Sequence, residues 1–249
     1  NSAKLEKGLS ALIITFNEES NIKSAIENLA FADEIIIIDS YSTDATVSIA
    51  SSFENVKIIQ NNFINYADQR NFAISFASFS WILFIDADER INPALEEEIK
   101  TIIQKENSIV AYEFNRTFLF NKQPLHFSGW QTDKIYRLFR KENCFYDINK
   151  IVHEKLIVNG KSGVVKNKLL HYSYTDYSSY KYKMIQYGKM KAIEELNIYP
   201  SFEKISNVET VFSLTKNPPL LFINGQLKSE GKYLDVDECK ELLLEAMKR

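Results

Sequence analysis

One stretch limits what this chain can fold into more than any other: Ser80 to Arg90, SWILFIDADER. Trp81 to Ile85 form an unbroken apolar run with the length and composition of a strand buried on both faces. Such strands belong to parallel sheets covered by helices, where ligands bind beyond the carboxyl ends of the strands. The run stops on Asp86-Ala87-Asp88-Glu89. Two aspartates one residue apart at that edge can face a divalent cation and the phosphates it carries, because Mg²⁺ and Mn²⁺ prefer carboxylate oxygens. The simpler account is that these acids cap the helix that follows.

Other segments repeat the pattern. Leu9–Thr15, Glu34–Asp39 and Val56–Gln60 read as buried strands. Helical spacing follows each: Ser20 as N-cap and then Ile22, Ala25, Ile26 and Leu29; Val47 to Phe53; and Tyr66 to Ala77, which carries Gln69, Arg70 and Asn71. Asn92-Pro93 opens a fourth helix with an N-cap and a proline at its first position. Alternation of this kind predicts an α/β fold with a mostly parallel sheet. Thr15, Asp39 and Asp86/Asp88 then fall at one sheet edge, which turn chemistry explains singly but not together. Further on, strand-like segments surround Asn115-Arg116, KIYRLFR is strand-like, and IVHEKLIVNG places His153-Glu154 beside another strand. The tyrosine–lysine segment from Leu169, LLHYSYTDYSSYKYK, leads into an amphipathic helix expected to run to about Leu196.

Several classes are excluded. Neither G-x-G-x-x-G nor G-x-x-x-x-G-K-[ST] occurs, and there are only seven glycines, so phosphates would be held by a metal and side chains rather than a glycine cradle. Cys144 and Cys239 make no disulfide framework or thiolate cluster. The opening NSAKLEKGLS has no apolar leader core, and no apolar run approaches the ~20 residues of a membrane span. The expected location is cytoplasmic, with peripheral contact at the inner face of the membrane as an option. Residues 1–100 hold 16 Asp/Glu against 7 Lys/Arg, whereas 150–191 hold 9 Lys against Glu154 and Asp176. This suits a metal–nucleotide site in the first part and anions, lipid headgroups among them, near the tyrosine–lysine segment in the second. A solvated lysine face is the simpler reading there, and nothing calls for nucleic acid.

With ALIITFNEESNI, DEIIIIDSYSTDAT, YADQRNFA, WILFIDADERI, SGW, YRLFRK, VHE and LLHYSY in order over residues 9–193, the chain resembles family 2 glycosyltransferases, and most of all the bacterial branch that adds sugars to the lipopolysaccharide core. The resemblance implies a GT-A fold, a nucleotide-diphosphate sugar donor with uridine favoured, a Mg²⁺ or Mn²⁺ ion, and inverting transfer to a glycan or lipid-linked acceptor. By position, Thr15, Asn17 and Glu18 would line the nucleoside pocket and Asp39 would bind base or ribose. Arg70 would contact the nucleotide, Asp86 the ribose or metal, and Asp88 would be the main metal ligand. Glu154 is the expected general base, with Asp133 as alternate; a salt bridge to Arg137 or Arg140 is the plainer role for Glu154. His153 and Trp130 would face acceptor or sugar, while His126 and His171 suit packing or hydrogen bonding. The chain departs from the family at Tyr41 and Ala45, where glycines are usual. A nucleotidyltransferase and a non-catalytic sugar-nucleotide-binding scaffold are the competing functions.

From about Ala192 the likeness changes. Pro218-Pro219, a Leu220–Ile223 strand, an Asn224-Gly225 turn, a Gln226–Tyr233 strand and a helix from Asp235 resemble the later part of a thioredoxin-like domain without its C-x-x-C. The expected division is a glycosyltransferase domain over 1–192 and a small α/β thioredoxin-like appendage over 193–249, packed on the preceding helix, with Cys239 inert.

Overall fold

The computed structural model describes residues 5–124, 134–148, 155–174, 208–211, 220–223 and 226–229. The chain divides into two compact units, 1–176 and 177–249. The expected helix up to about Leu196, the Asn224-Gly225 turn, the Asp235 helix and Cys239 lie outside the described residues.

The first unit begins β1 (Glu6–Thr15), α1 (Ile22–Asn28), β2 (Glu34–Asp39), α2 (Thr46–Ala50), β3 (Val56–Gln60), α3 (Tyr66–Phe76) and β4 (Phe79–Phe84). β3, β2, β1 and β4 lie side by side and parallel. β2, β1 and β4 are apolar on both faces, while the edge strand β3 leaves Lys57 and Gln60 exposed; successive residues go to opposite sides, as the pleat requires. Ile35, Ile37, Trp81 and Leu83 pack with Ile26 of α1 and with Leu95 and Ile99 of α4 (Pro93–Gln104). Ile36, Ile38, Ile82 and Phe84 pack on the other face with Ala67 and Ala73 of α3. Isoleucines 35–38 are at most 1% exposed, each contributing roughly 2 kcal/mol of burial.

Beyond β4 the sheet becomes mixed. After β5 (Glu89–Arg90) and α4 come β6 (Ile109–Phe120), β7 (Gln123–Pro124), β8 (Lys134–Arg140), β9 (Cys144–Tyr146), β10 (Leu156–Val158), β11 (Lys161–Val164) and β12 (Leu169–Tyr174). β8 runs antiparallel between β4 and β6, and β12 fits between β6 and β5. The segment around Asn115-Arg116 is one long strand. β9 and β10 form a separate antiparallel ribbon, tied to α3 by Asn71, whose side chain donates to Tyr146 O and accepts from Tyr146 N, both at 2.8 Å.

Two caps divide the expectations. Asn92 caps α4 as expected, accepting from Leu95 N at 3.0 Å. Ser20 does not cap α1: Asn21 occupies that position without a side-chain cap bond, and the turn is closed by Glu18 O accepting from Asn21 N and Ile22 N. In the second unit, β13 (Val208–Val211), β14 (Leu220–Ile223) and β15 (Gln226–Ser229) form an antiparallel sheet, with Ile223 opposite Gln226.

Leu83 is fully buried at the centre of the sheet. Leu83→Ala should cost roughly 2–5 kcal/mol in urea unfolding followed by tryptophan fluorescence; a loss below about 1 kcal/mol would mean that this strand is not the core.

Candidate active site

The parallel register brings three strand ends level: Thr15 pairs with Asp39, and Asp39 with Gln60. Asp39 is fully buried. Its carboxylate accepts from Thr15 Oγ1 (3.2 Å), Ser42 N (2.9 Å), Ser42 Oγ (2.5 Å) and Gln60 Nε2 (3.3 Å). The turn after β1 is sewn to the turn after β2. Asn17, at φ 55°, accepts from Thr43 N through Oδ1 at 2.8 Å, and its own N–H donates to Ser42 Oγ at 2.8 Å. Glu18 N donates to Thr46 Oγ1 at 2.7 Å. Thr15, Asn17, Glu18 and Asp39 are thus brought together, and their polar groups build the double turn itself. On its outside stand Phe16, 58% exposed, and Tyr41, 51% exposed. Tyr41 has φ 61°, a left-handed conformation costing a bulky residue about 1–2 kcal/mol. Ala45, at φ −76°, carries no such strain.

β4 gives way to the acidic turn, where Asp86 is gripped from two sides. Arg70 Nη2 donates to Oδ1 at 2.9 Å, and Arg137 Nη2 donates to Oδ2. Arg70 is supplied by α3 and lies over the rings of Phe84 and Tyr146. Its neighbour Gln69 donates to Ser40 Oγ at 3.0 Å and so ties the same helix to the β2 turn. Arg137, on β8, is fully buried and also binds Glu89 Oε1 at 2.7 Å. Arg116 approaches the same oxygen at 3.5 Å, while Glu89 Oε2 accepts from Asp86 N at 3.1 Å. Burial by itself would raise the Asp86 carboxyl; Arg137 first, then Arg70 and His171, overcome it and leave the group charged, well below the ordinary carboxylate range. Arg90 closes the turn on the far side, donating to Ala87 O, Glu89 O and Asn21 O.

Asp88 has a different neighbour. β12 pairs with β5 and β6 so that His171 lies opposite both Glu89 and Phe118, and Tyr172 N donates to Asp88 O at 2.8 Å. His171 Nε2 then stands 3.4 Å from Asp88 Oδ1, its ring 5.0 Å from that of Phe118. Nδ1 is buried, with no hydrogen-bond partner among the described residues. Two ligands on adjacent octahedral positions of a cation with ~2.1 Å bonds lie ~3 Å apart, close to this spacing. A carboxylate oxygen and an imidazole nitrogen at this spacing could hold one Mg²⁺ or Mn²⁺ ion. Among the described residues no group of three or more His, Cys, Asp or Glu could hold a metal.

His171, Arg137 and Glu89 were not assigned to the site from sequence. Glu89 reads as part of a cap and His171 as a packing residue; pairing of β12 with β5 brings His171 to Asp88, and pairing of β8 with β4 brings Arg137 to Asp86 and Glu89. Glu154, Asp133, Trp130, His153 and His126 lie outside the described residues. Arg137→Met would leave Asp86 and Glu89 short of their shared counter-charge. It should cost roughly 3–5 kcal/mol in chemical denaturation, and a change within about 1 kcal/mol would show the ion cluster to be dispensable.

Comparison with known proteins supplies the family. The model of glycosyl transferase family 2 matches residues 10–158. The lipopolysaccharide core biosynthesis glycosyltransferase LpsC of Rhizobium meliloti (strain 1021) is 29% identical over 230 residues, 87% of this chain and 82% of that protein. An uncharacterized glycosyltransferase of Rickettsia bellii (strain RML369-C) is 34% identical over 165 residues, 64% of this chain. The chain spans about half, 55%, of that relative's length. Among solved structures, glucosyl-3-phosphoglycerate synthase from Mycobacterium tuberculosis, in complex with Mn²⁺, UDP and phosphoglyceric acid, superposes with a TM-score of 0.50 at 12% identity over 90% of each chain. The curled mixed sheet is the GT-A fold, and the chain belongs to glycosyl transferase family 2.

Proposed function

We propose that this chain transfers a sugar, with inversion, from a nucleotide-diphosphate donor, UDP favoured, to a glycan or lipid-linked acceptor in cell-envelope polysaccharide or lipopolysaccharide core synthesis. The observation that carries the reading is the meeting of Asp88 and His171 at the sheet edge where the β1 and β2 turns are sewn together. The likeness to LpsC, named for lipopolysaccharide core biosynthesis, supports the acceptor class.

In this reading Asp88 and His171 hold Mg²⁺ or Mn²⁺ together with the donor diphosphate. Bound there, the ion supplies charge neutralisation of the departing diphosphate. Asp86, with both oxygens engaged by Arg70 and Arg137, orients the turn and presents a charged edge toward the ribose. Thr15, Asn17, Glu18 and Asp39 give the nucleoside pocket its shape, and Phe16 offers a face on which a base can stack. The acceptor hydroxyl attacks the anomeric carbon from the side opposite the diphosphate. Glu154 takes its proton, with Asp133 as alternate, and Trp130 and His153 hold the acceptor side. General-base removal of that proton is worth typically 10²–10⁴-fold.

No helix among the described residues is long and apolar enough to cross a membrane. We place the reaction at the cytoplasmic face, with the acceptor brought from a membrane surface. Residues 193–249 serve as a thioredoxin-like structural appendage; without a C-x-x-C they take no part in redox chemistry.

Two measurements test this. Asp88→Ala should weaken Mn²⁺-dependent UDP binding by at least about tenfold in calorimetric titration while leaving the melting temperature near that of the unaltered chain; unchanged binding would remove the metal site. Glu154→Gln should keep donor affinity and lose at least about 100-fold in kcat for transfer; full activity would take Glu154 out of the base role.

A further inference from the structure

Tyr41 stands out once the double turn is understood. It is fixed from both sides, by Ser40 N donating to Thr15 O at 2.9 Å and by Ser42 N and Oγ donating to Asp39. Between these anchors the backbone must pass through φ 61°, a region suited to glycine or asparagine and poorly suited to a bulky side chain. The ring is half exposed, and among the described residues it makes no hydrogen bond or ring contact. A large aromatic residue kept at an unfavourable backbone position, while giving the fold so little, points to a ligand.

Its location names the ligand, given the donor reading above on which this inference rests. Tyr41 comes directly after Asp39-Ser40 at the carboxyl end of β2, and the half-exposed Phe16 directly follows Thr15, the in-register partner of Asp39. We infer that Tyr41 determines nucleotide specificity: its ring fills the rim of the base site, so that a pyrimidine nucleoside diphosphate is accepted and the larger purine is disfavoured. An aromatic face contributes stacking to either base. The occupied volume, which a glycine at this position would leave open, discriminates between them.

The test is calorimetric binding of UDP and of GDP, each with Mn²⁺, to the full chain and to Tyr41→Phe, Tyr41→Gly and Tyr41→Asn. Glycine and asparagine both tolerate the left-handed backbone, so neither variant endangers folding, and the melting temperature without nucleotide should hold or rise. The unaltered chain should prefer UDP over GDP by about tenfold or more, and Tyr41→Phe should behave alike. Tyr41→Gly and Tyr41→Asn should lose about fivefold or more in UDP affinity, and their preference should shrink below about threefold. The inference is overturned if both variants retain the affinity and preference of the unaltered chain, or if that chain binds the two nucleotides equally. Binding of neither nucleotide by the unaltered chain would overturn the donor reading itself, and this inference with it.

Discussion

Three parallel strands buried on both faces leave few places for polar side chains to gather. Along β1, β2 and β4 almost every residue from Leu9 to Ile13, Ile35 to Ile38 and Trp81 to Ile85 is closed off from water by helices on one side or the other. Hydrogen-bonding groups can therefore enter only at the strand ends. At the amino edge Asp33 and Glu34 satisfy Leu9 N and the Ser10 and Ser78 groups, and their role ends there. At the carboxyl edge β1, β2 and β3 stop in register at Thr15, Asp39 and Gln60, and β4 ends beside Leu12 with Asp86 in the turn that follows. The chemistry of the site is a consequence of where the sheet is allowed to be polar.

What happens at that edge depends on charge compensation. A carboxylate placed among so many apolar groups would lose its charge unless paired. Asp86 and Glu89 share Arg137, and Arg70 and Arg116 complete the set. The three arginines come from a helix and two strands on different parts of the chain, so the cluster also locks α3, β6 and β8 onto the end of β4. Asp88, two residues on from Asp86, is turned toward β12 and His171 instead. A short acidic motif is thereby divided between a half held by arginines and a half that faces His171, which we propose binds the cation.

The first half of this architecture was legible in the sequence because it is local. Glu34–Asp39 and Val56–Gln60 begin and end where their apolar runs do, and Asn92-Pro93 marks α4 by its own capping chemistry. The Ser20 cap failed because Asn21 holds the cap position and the carbonyl of Glu18 accepts from Asn21 N and Ile22 N. The acidic excess of residues 1–100 was a poor guide to the site: Glu96 and Glu97 pair with Lys100, and Glu98 accepts from Lys166 N and Asn167 on the outside of α4. Arg137 and His171 were illegible for the opposite reason. KIYRLFR reads correctly as a strand, whereas LLHYSY reads only as the start of a tyrosine-rich stretch and forms β12. Which strands they join is a long-range matter, and that pairing alone decides that one faces Asp86 and the other Asp88.

The proposed sugar transfer depends most on Asp88 and His171 sharing a cation with the nucleotide. Pulsed electron paramagnetic resonance of Mn²⁺ bound to the full chain with UDP measures this directly, because a coordinated imidazole nitrogen and a coordinated phosphate each leave a distinct nuclear coupling on the manganese. A ¹⁴N coupling of directly bound histidine beside the ³¹P coupling, abolished in His171→Ala, is the predicted result. A spectrum showing phosphate and water alone in the unaltered protein would contradict it.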